Sequence, residues 1–412
     1  MRAEVERHEA TAPLGGTGGG EILLRGNSGP RSQRDWNARL VLSAIQRRGP
    51  MAGADLARLT GLSAQTASVI GRALEADGLL TRGAARRGRV GKPSMPLSLD
   101  PDGAFGIGLR IGRRSADLAL LDLAGTVRRQ LRTTHSWPSP EGILAFARHG
   151  LARLTAELGA ERAGRVLGIG IGMPFEIWNW LDAVGAPGAE MARWRDLDLA
   201  GAFAAFTDLP VTIGNDVTLA CGAEQVFGAG RGLPDFGYLY VGSFVGGGLV
   251  LGGRLHAGPS GNAGAFASLP VRGPHAADGQ LVAHASLHVL EGQLEAAGID
   301  PTPLWHGAAE DWAGIEPHLT DWLRNAAAHL ALACVAVTAV ADVPAMVLDG
   351  GMPPALRARL AAALRAALAQ ADTRGITPPE VREGALGRVA GALGAAHRPI
   401  ADALLIDGSA AG

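Results

Sequence analysis

Two cysteines occur in 412 residues, Cys221 and Cys334, each in a helix-like context among small apolar neighbours. That scarcity excludes a disulfide scaffold and leaves buried free thiols as the expectation. The opening MRAEVERHEA lacks the apolar core of a signal peptide. Long apolar runs are missing as well. The longest, around Leu330–Leu348, is interrupted by Asp342 and Pro344, which reads as a buried helix followed by a strand and not as a membrane span. Net charge is almost absent, at −1. These absences lead to the expectation of a soluble cytoplasmic protein with no membrane partner. What is present is a globular composition, 47% hydrophobic, in a chain long enough for a small domain plus a two-lobed one of roughly 300 residues.

The near-zero net charge hides an asymmetry. Between Arg31 and Lys92 twelve basic residues face four acidic ones, a surplus of eight, which is the electrostatic footprint expected of a surface that meets phosphates. The same stretch has helix-turn-helix grammar. Ala54–Leu59 reads as a short helix with Leu56 and Leu59 inward, and Gly61 permits a sharp turn. Ser63 stands where an N-cap belongs, before a helix running through Ala76. Ala67, Ile70 and Leu74 fall at helical spacing toward a core, leaving Gln65, Thr66, Ser68 and Arg72 outside. Gly78 ends the helix, Leu79–Thr81 opens a strand, and the tip Arg86-Arg87-Gly88-Arg89-Val90-Gly91-Lys92 has the charge of a wing. The reading is a winged helix-turn-helix with double-stranded DNA as partner. Gln65, Ser68 and Arg72 are expected to read the major groove, with Thr66 beside them. Arg86, Arg87, Arg89 and Lys92 are expected to hold phosphates or the minor groove.

Residues 1–32 contain a glycine-rich patch and no sustained period, so a disordered tail is expected. Asp35–Arg47 is an amphipathic helix under the helix-turn-helix, and the DNA-binding domain spans 33–98, with Leu97–Leu99 leading into the next. Three short strand runs (105–111, 116–122, 127–133), the helix Pro140–Leu158 and the strand 166–172 come next. The helix Leu199–Phe206, the strand 210–214 and a helix from Asp216 complete a first lobe over 99–222. A second lobe over 223–384 opens with the hairpin 238–255, its glycines assigned to the turn. It continues with helices at Leu281–Ala297, Trp312–Val340 and Pro354–Ala371, the strand 345–351 lying between the last two. The segment 385–412 is expected to return to the first lobe. Three antiparallel strands and then alternating helices and strands give the fold class: α/β, a winged helix-turn-helix before a two-lobed actin-like (ribonuclease-H-type) domain.

The segments TGLSAQTASVIGRALEADGLL, RRGRVGKPSMPLSLDPDGAFGIGLRIG, LPVTIGNDVTLACGAE, YLYVGSFVGGGLVLGGRLHAGPSGNAG and MVLDGG together resemble the ROK family of repressors and sugar kinases, over about residues 33–410. The resemblance implies a transcription regulator whose second half descends from a sugar kinase and senses a sugar. Kinase activity is not expected. Where the family's kinases have Asp-Ile-Gly-Gly-Thr, this chain has Arg110-Ile111-Gly112-Arg113-Arg114; the charge suits an anion, but the small pair over which phosphates sit is gone. Gly242-Ser243-Phe244 replaces Gly-Thr-Gly, and Phe244 fills space a phosphate needs.

Asn215-Asp216 matches the family's pair, in which the aspartate holds a sugar hydroxyl; Asp216 also stands where an N-cap belongs. The family's Glu-x-Gly-His becomes Ala265-Phe266-Ala267-Ser268, and a further sugar-binding glutamate falls at Val282. The effector candidates that remain are Asn215, Asp216, Asn262 and Ser268, with Trp178, Trp180 and Trp194 as a stacking wall or as lobe packing. The family's cysteine-rich zinc motif is replaced by GPHAADGQ, leaving His275, His284 and His288, so neither metal nor other cofactor is expected. The resulting expectation is a sugar-responsive repressor of carbohydrate-related genes, a homodimer or homotetramer on a palindromic operator. A docking or dimerisation platform without effector is the alternative, with an active sugar kinase third.

Overall fold

The computed structural model describes residues 33–84, 95–179, 187–271, 279–306, 312 and 314–406. The tail 1–32 and the wing tip lie outside them. The amino-terminal unit is built from α1 (Gln33–Arg48), α2 (Gly53–Thr60) and α3 (Ala64–Ala76), with β1 (Leu80–Arg82) antiparallel to β2 (Leu97–Leu99). Gly61 takes φ 69° between α2 and α3, where a side chain would be strained. Ser63 Oγ accepts the Thr66 N–H at 3.0 Å and caps α3. Leu97–Leu99 is therefore more than a lead-in to the first lobe: it is the returning strand of the wing.

Beyond the wing come two five-stranded sheets. The first has the order β5-β4-β3-β6-β7, with β3 (Phe105–Ile111), β4 (Ser115–Asp122) and β5 (Val127–Thr134) antiparallel and β6 (Val166–Met173) and β7 (Val211–Asn215) parallel to β3. The helices α4 (Pro140–Ala163), α5 (Gly188–Asp196), α6 (Leu199–Ala204) and α7 (Asp216–Phe227) connect or succeed these strands. The second sheet repeats the plan as β10-β9-β8-β13-β14. Its members are β8 (Phe236–Val241), β9 (Val245–Leu251), β10 (Arg254–His256), β13 (Ala345–Gly350) and β14 (Glu380–Glu383), with the two-stranded β11 (Pro270–Val271) and β12 (Gly279–Gln280) beside it.

Its helices are α8 (Val282–Ala285), α9 (Leu287–Ala296), α10 (Pro303–His306), α11 (Glu316–Ala341) and α12 (Pro354–Gln370). Helix α11 is long and apolar enough to cross a membrane, but one face is packed into the second core through Leu319, Trp322, Leu330 and Cys334. Both cysteines are buried and free.

Three sequence expectations change here. The helix expected over 281–297 breaks at Ser286, whose backbone is extended (φ −82°, ψ 152°). Ser286 Oγ accepts the Val245 N–H at 2.9 Å, and its carbonyl accepts Trp322 Nε1–H at 3.0 Å, so the break anchors β9 to α11. The glycines of the second hairpin are not confined to its turn. Gly246, Gly247 and Gly248 lie inside β9, and a Cβ on Gly247 would stand 2.0 Å from the Phe266 ring. Strand β14, which the sequence reading lacked, is polar except for Val381.

The last helix, α13 (Ala390–Leu404), crosses back onto the first sheet. Gly106, Gly108 and Gly170 let it lie backbone against backbone; a Cβ on Gly108 would sit 2.0 Å from the Ala392 carbonyl oxygen. Its other side meets the winged helix. One continuous apolar cluster joins Val41, Leu42, Ile45, Leu56 and Leu74 to Leu121, Leu393, Ala396, Ile400 and Leu404.

Candidate nucleic-acid interface and interlobe cleft

On α3, Gln65, Ser68 and Arg72 are exposed on one face, and Arg72 Nε donates to the Ser68 carbonyl at 3.3 Å. Thr66 is half-buried, and its hydroxyl is within 2.8 Å of Ser63 Oγ, so it serves the cap. Val69, absent from the sequence-based set, is 45% exposed among them; an apolar side chain there suits a thymine methyl group. The base of the wing is fastened to α3 by Arg82, whose Nε and Nη2 each donate to Glu75 at 2.6 Å. Arg86, Arg87, Arg89 and Lys92 lie outside the described residues.

Between the lobes is a cavity of about 460 Å³ that brings Asn215, Asp216, Asn262 and Ser268 together. Asn215 closes β7 and caps α7: its Oδ1 accepts the Val217 and Thr218 N–H groups at 3.0 and 2.9 Å, and its Nδ2 donates to Asn262 Oδ1 at 3.3 Å. The cap is therefore Asn215 and not Asp216. Asp216 is the first helical residue, 5% exposed. Its partner is Arg110, whose Nε stands 3.4 Å from Asp216 Oδ2 and whose Nη1 stands 3.7 Å from Asp117 Oδ2.

Burial raises the Asp216 carboxyl above the ordinary aspartate range, and Arg110 pulls the other way. Burial also opposes the Arg110 charge, but Tyr240, Asp216 and Asp117 hold the guanidinium above its ordinary value. Arg110 on β3 thus crosses to Asp216 at the start of α7. Asp216 Oδ2 is thereby committed to the Arg110 cation.

Other lining residues were not singled out from sequence. Phe175, 42% exposed, forms part of the wall. Glu176 takes φ 46° and accepts Asn179 Nδ2–H at 2.7 Å, and Gln280 lines the cavity as well. Their signal was local and weak, because a short loop after a strand has no periodicity to read. The tryptophan wall does not form from the described tryptophans. Trp194 is buried with Nε1 donating to the Pro138 carbonyl at 2.8 Å, Trp178 packs against the first core, and Trp180 lies outside the described residues.

Val282 packs against the second core. His284 stacks on His329 at 4.1 Å, and the break at Ser286 separates it from His288; His275 lies outside the described residues. Among the described residues no group of three or more metal-ligating side chains converges. Arg113 and Arg114 are not open to an incoming anion, because both are engaged by Glu291.

Residues 106–279 match the ROK family model, and residues 35–89 match the MarR family model. The chain carries a ROK domain behind a MarR-type winged helix. A transcriptional regulator of Mycobacterium bovis is 30% identical over 58% of this chain, a match spanning 54% of that relative. The xylose repressor of Bacillus subtilis is 23% identical over 57% of the chain and 60% of its own length. Among solved structures, a ROK family transcriptional regulator described as a homolog of the E. coli MLC protein covers 90% of this chain and 97% of itself, with a TM-score of 0.65 at 20% identity. Within the ROK-matched stretch of this chain, Arg110 faces Asp216 and Asp117, and Asn215 and Asp216 line the cleft.

Proposed function

We propose that the chain is a sequence-specific DNA-binding transcription regulator, a repressor that works as a homodimer or homotetramer on a two-fold symmetric operator in the cytoplasm. Its ROK cleft senses a small polyhydroxylated ligand and does not phosphorylate it. The sensor half rests on one observation above others: Asp216 is held by Arg110. The cleft also offers amides from Asn179, Asn215, Asn262 and Gln280, hydroxyls from Ser243 and Ser268, and the Phe175 ring. These are the donors, acceptors and apolar face that a carbohydrate needs when buried. Gln65, Ser68 and Arg72 read bases, and the wing cations hold the backbone.

The full-length protein tests this reading by selecting duplexes from a random library. Enrichment of a palindrome is expected, with affinity falling steeply as salt rises; no enrichment, or salt-independent binding, overturns the DNA half. A thermal-shift panel of sugars, polyols, sugar phosphates and sugar acids tests the cleft, where a hit is expected to disappear in Asp216→Ala. Silence across the panel favours a docking platform, and ATP turnover with any sugar would overturn the non-enzymatic reading.

A further inference from the structure

The turn between β3 and β4 belongs to the first lobe, whereas α9 packs in the core of the second. They meet at Glu291, which is 3% exposed. Glu291 Oε2 accepts from Arg113 Nη1 at 2.5 Å and Oε1 from Arg114 Nη2 at 2.5 Å. Trp305 Nε1 donates to Oε1 at 3.0 Å, and His288 Nδ1 lies 3.3 Å from Oε2. Arg114 is steadied from behind by the Ser136 carbonyl at 2.7 Å, and the Arg113 guanidinium lies 5.7 Å from the centre of the Phe244 ring.

Donors from both lobes therefore converge on one carboxylate. Forked guanidinium groups and an indole N–H arranged in this way make a receptor for an oxyanion, and they place the same demand on a carboxylate as on a phosphate. The receptor also has donors to spare, since Nε of Arg113 and Nε of Arg114 are buried without a hydrogen-bond partner. A single carboxylate has too few oxygens to satisfy every N–H presented.

We propose that Arg113, Arg114, Trp305 and His288 form an oxyanion site occupied by the chain's own Glu291, and that this internal ligand ties the first-lobe turn to the second lobe. Lobe closure then requires no diffusible anion on this side of the cleft. Arg113 also lines the interlobe cavity, so the site borders the cleft.

The test uses the full chain without DNA or effector, reading hydrogen exchange at 112–116 and 287–296 together with Tm. Glu291→Ala is expected to lower Tm by roughly 5–10 °C and to speed exchange on both sides of the seam. Sodium acetate or inorganic phosphate should restore part of both, where sodium chloride at equal ionic strength does not. Larger recovery with phosphate would assign the spare Nε–H groups to the anion, and equal recovery would assign a carboxylate-sized site. Wild type should not respond. Arg113→Ala/Arg114→Ala is expected to lose the same protection with no rescue. If the alanine protein does not fold, Glu291→Gln keeps the side-chain volume, and faster exchange across the seam is expected of it. Wild-type exchange in the glutamine variant, or an alanine variant indifferent to acetate and phosphate, overturns the proposal. Operator selection remains a separate result either way.

Discussion

Arg110 determines what the carboxylates around it can do. It lies between Asp216 and Asp117, two acids that are 5% and 0% exposed, and neither oxygen of Asp117 has a hydrogen-bond partner. Arg110→Leu leaves Asp216 without its cation and Asp117 with Arg132 alone, at 3.9 Å, which is expected to cost about 3–5 kcal/mol by urea unfolding. Asp216→Asn in the same background should recover part of that loss, and strict additivity would show that the pair is not coupled. Glu291 gives a pH signature. Burial alone would raise its pKa, but the His288 hydrogen bond and the Arg113 and Arg114 charges hold it down at about 2, against roughly 4.3 in an unfolded chain. Its contribution is therefore complete above about pH 4.3 and disappears as pH falls toward 2. Acid-unfolding curves of Glu291→Gln should lack that part of the slope. The resemblance to the ROK family implies that Arg110, Arg113 and Arg114 stand where its kinases have an acid and small residues. It did not show where their charges go, because Asp216 and Glu291 are remote in the chain and reach them only through the fold.

At the scale of elements, legibility tracked the pattern of burial. The strands β3, β4, β6 and β8 are buried on almost every residue and read plainly as apolar runs. Strand β14 buries Val381 alone, so nothing in its composition distinguished it from a loop. The break at Ser286 was equally silent, since it depends on bonds to Val245 and Trp322 from distant elements. Glycine was ambiguous in another way: Gly247 looks like a turn residue in the sequence and Gly108 like a plain strand residue, but both serve as places where another element touches the strand. Gly108→Ala tests this. Its Cβ would meet backbone and not a side chain that can rotate away, so at least the roughly 1–3 kcal/mol typical of overpacking is expected. Near-wild-type Tm for that variant would mean that α13 does not sit as close as described.

Over the whole molecule, the winged helix and the first lobe meet in one continuous seam. Gln46 Nε2 lies 3.0 Å from His397 Nε2, and an amide nitrogen can only donate, so the imidazole must accept there. Burial pushes the pKa of His397 down to about 4, with Arg398 adding repulsion, compared with roughly 6.5 when unfolded. The unfolded chain thus takes up the proton first, and stability from this group is lost as pH falls from about 6.5 toward 4. His397→Gln should flatten the Tm-against-pH curve over that window, and an unchanged slope would place the proton elsewhere. The order of a winged helix-turn-helix before a two-lobed α/β unit was legible in the sequence. The continuity of their cores was not readable, because each half of the seam resembles an ordinary amphipathic helix until both are seen together.

That shared core also bears on how the molecule is made. Gln46 and His397 are 351 residues apart, and α13 supplies Leu393, Ala396, Ile400 and Leu404 to the same cluster as α1 and α2. A ribosome adding about 5–20 residues per second therefore exposes the DNA-binding head for tens of seconds before its second wall exists. The head emerges first, and the apolar face it shares with α13 is covered last.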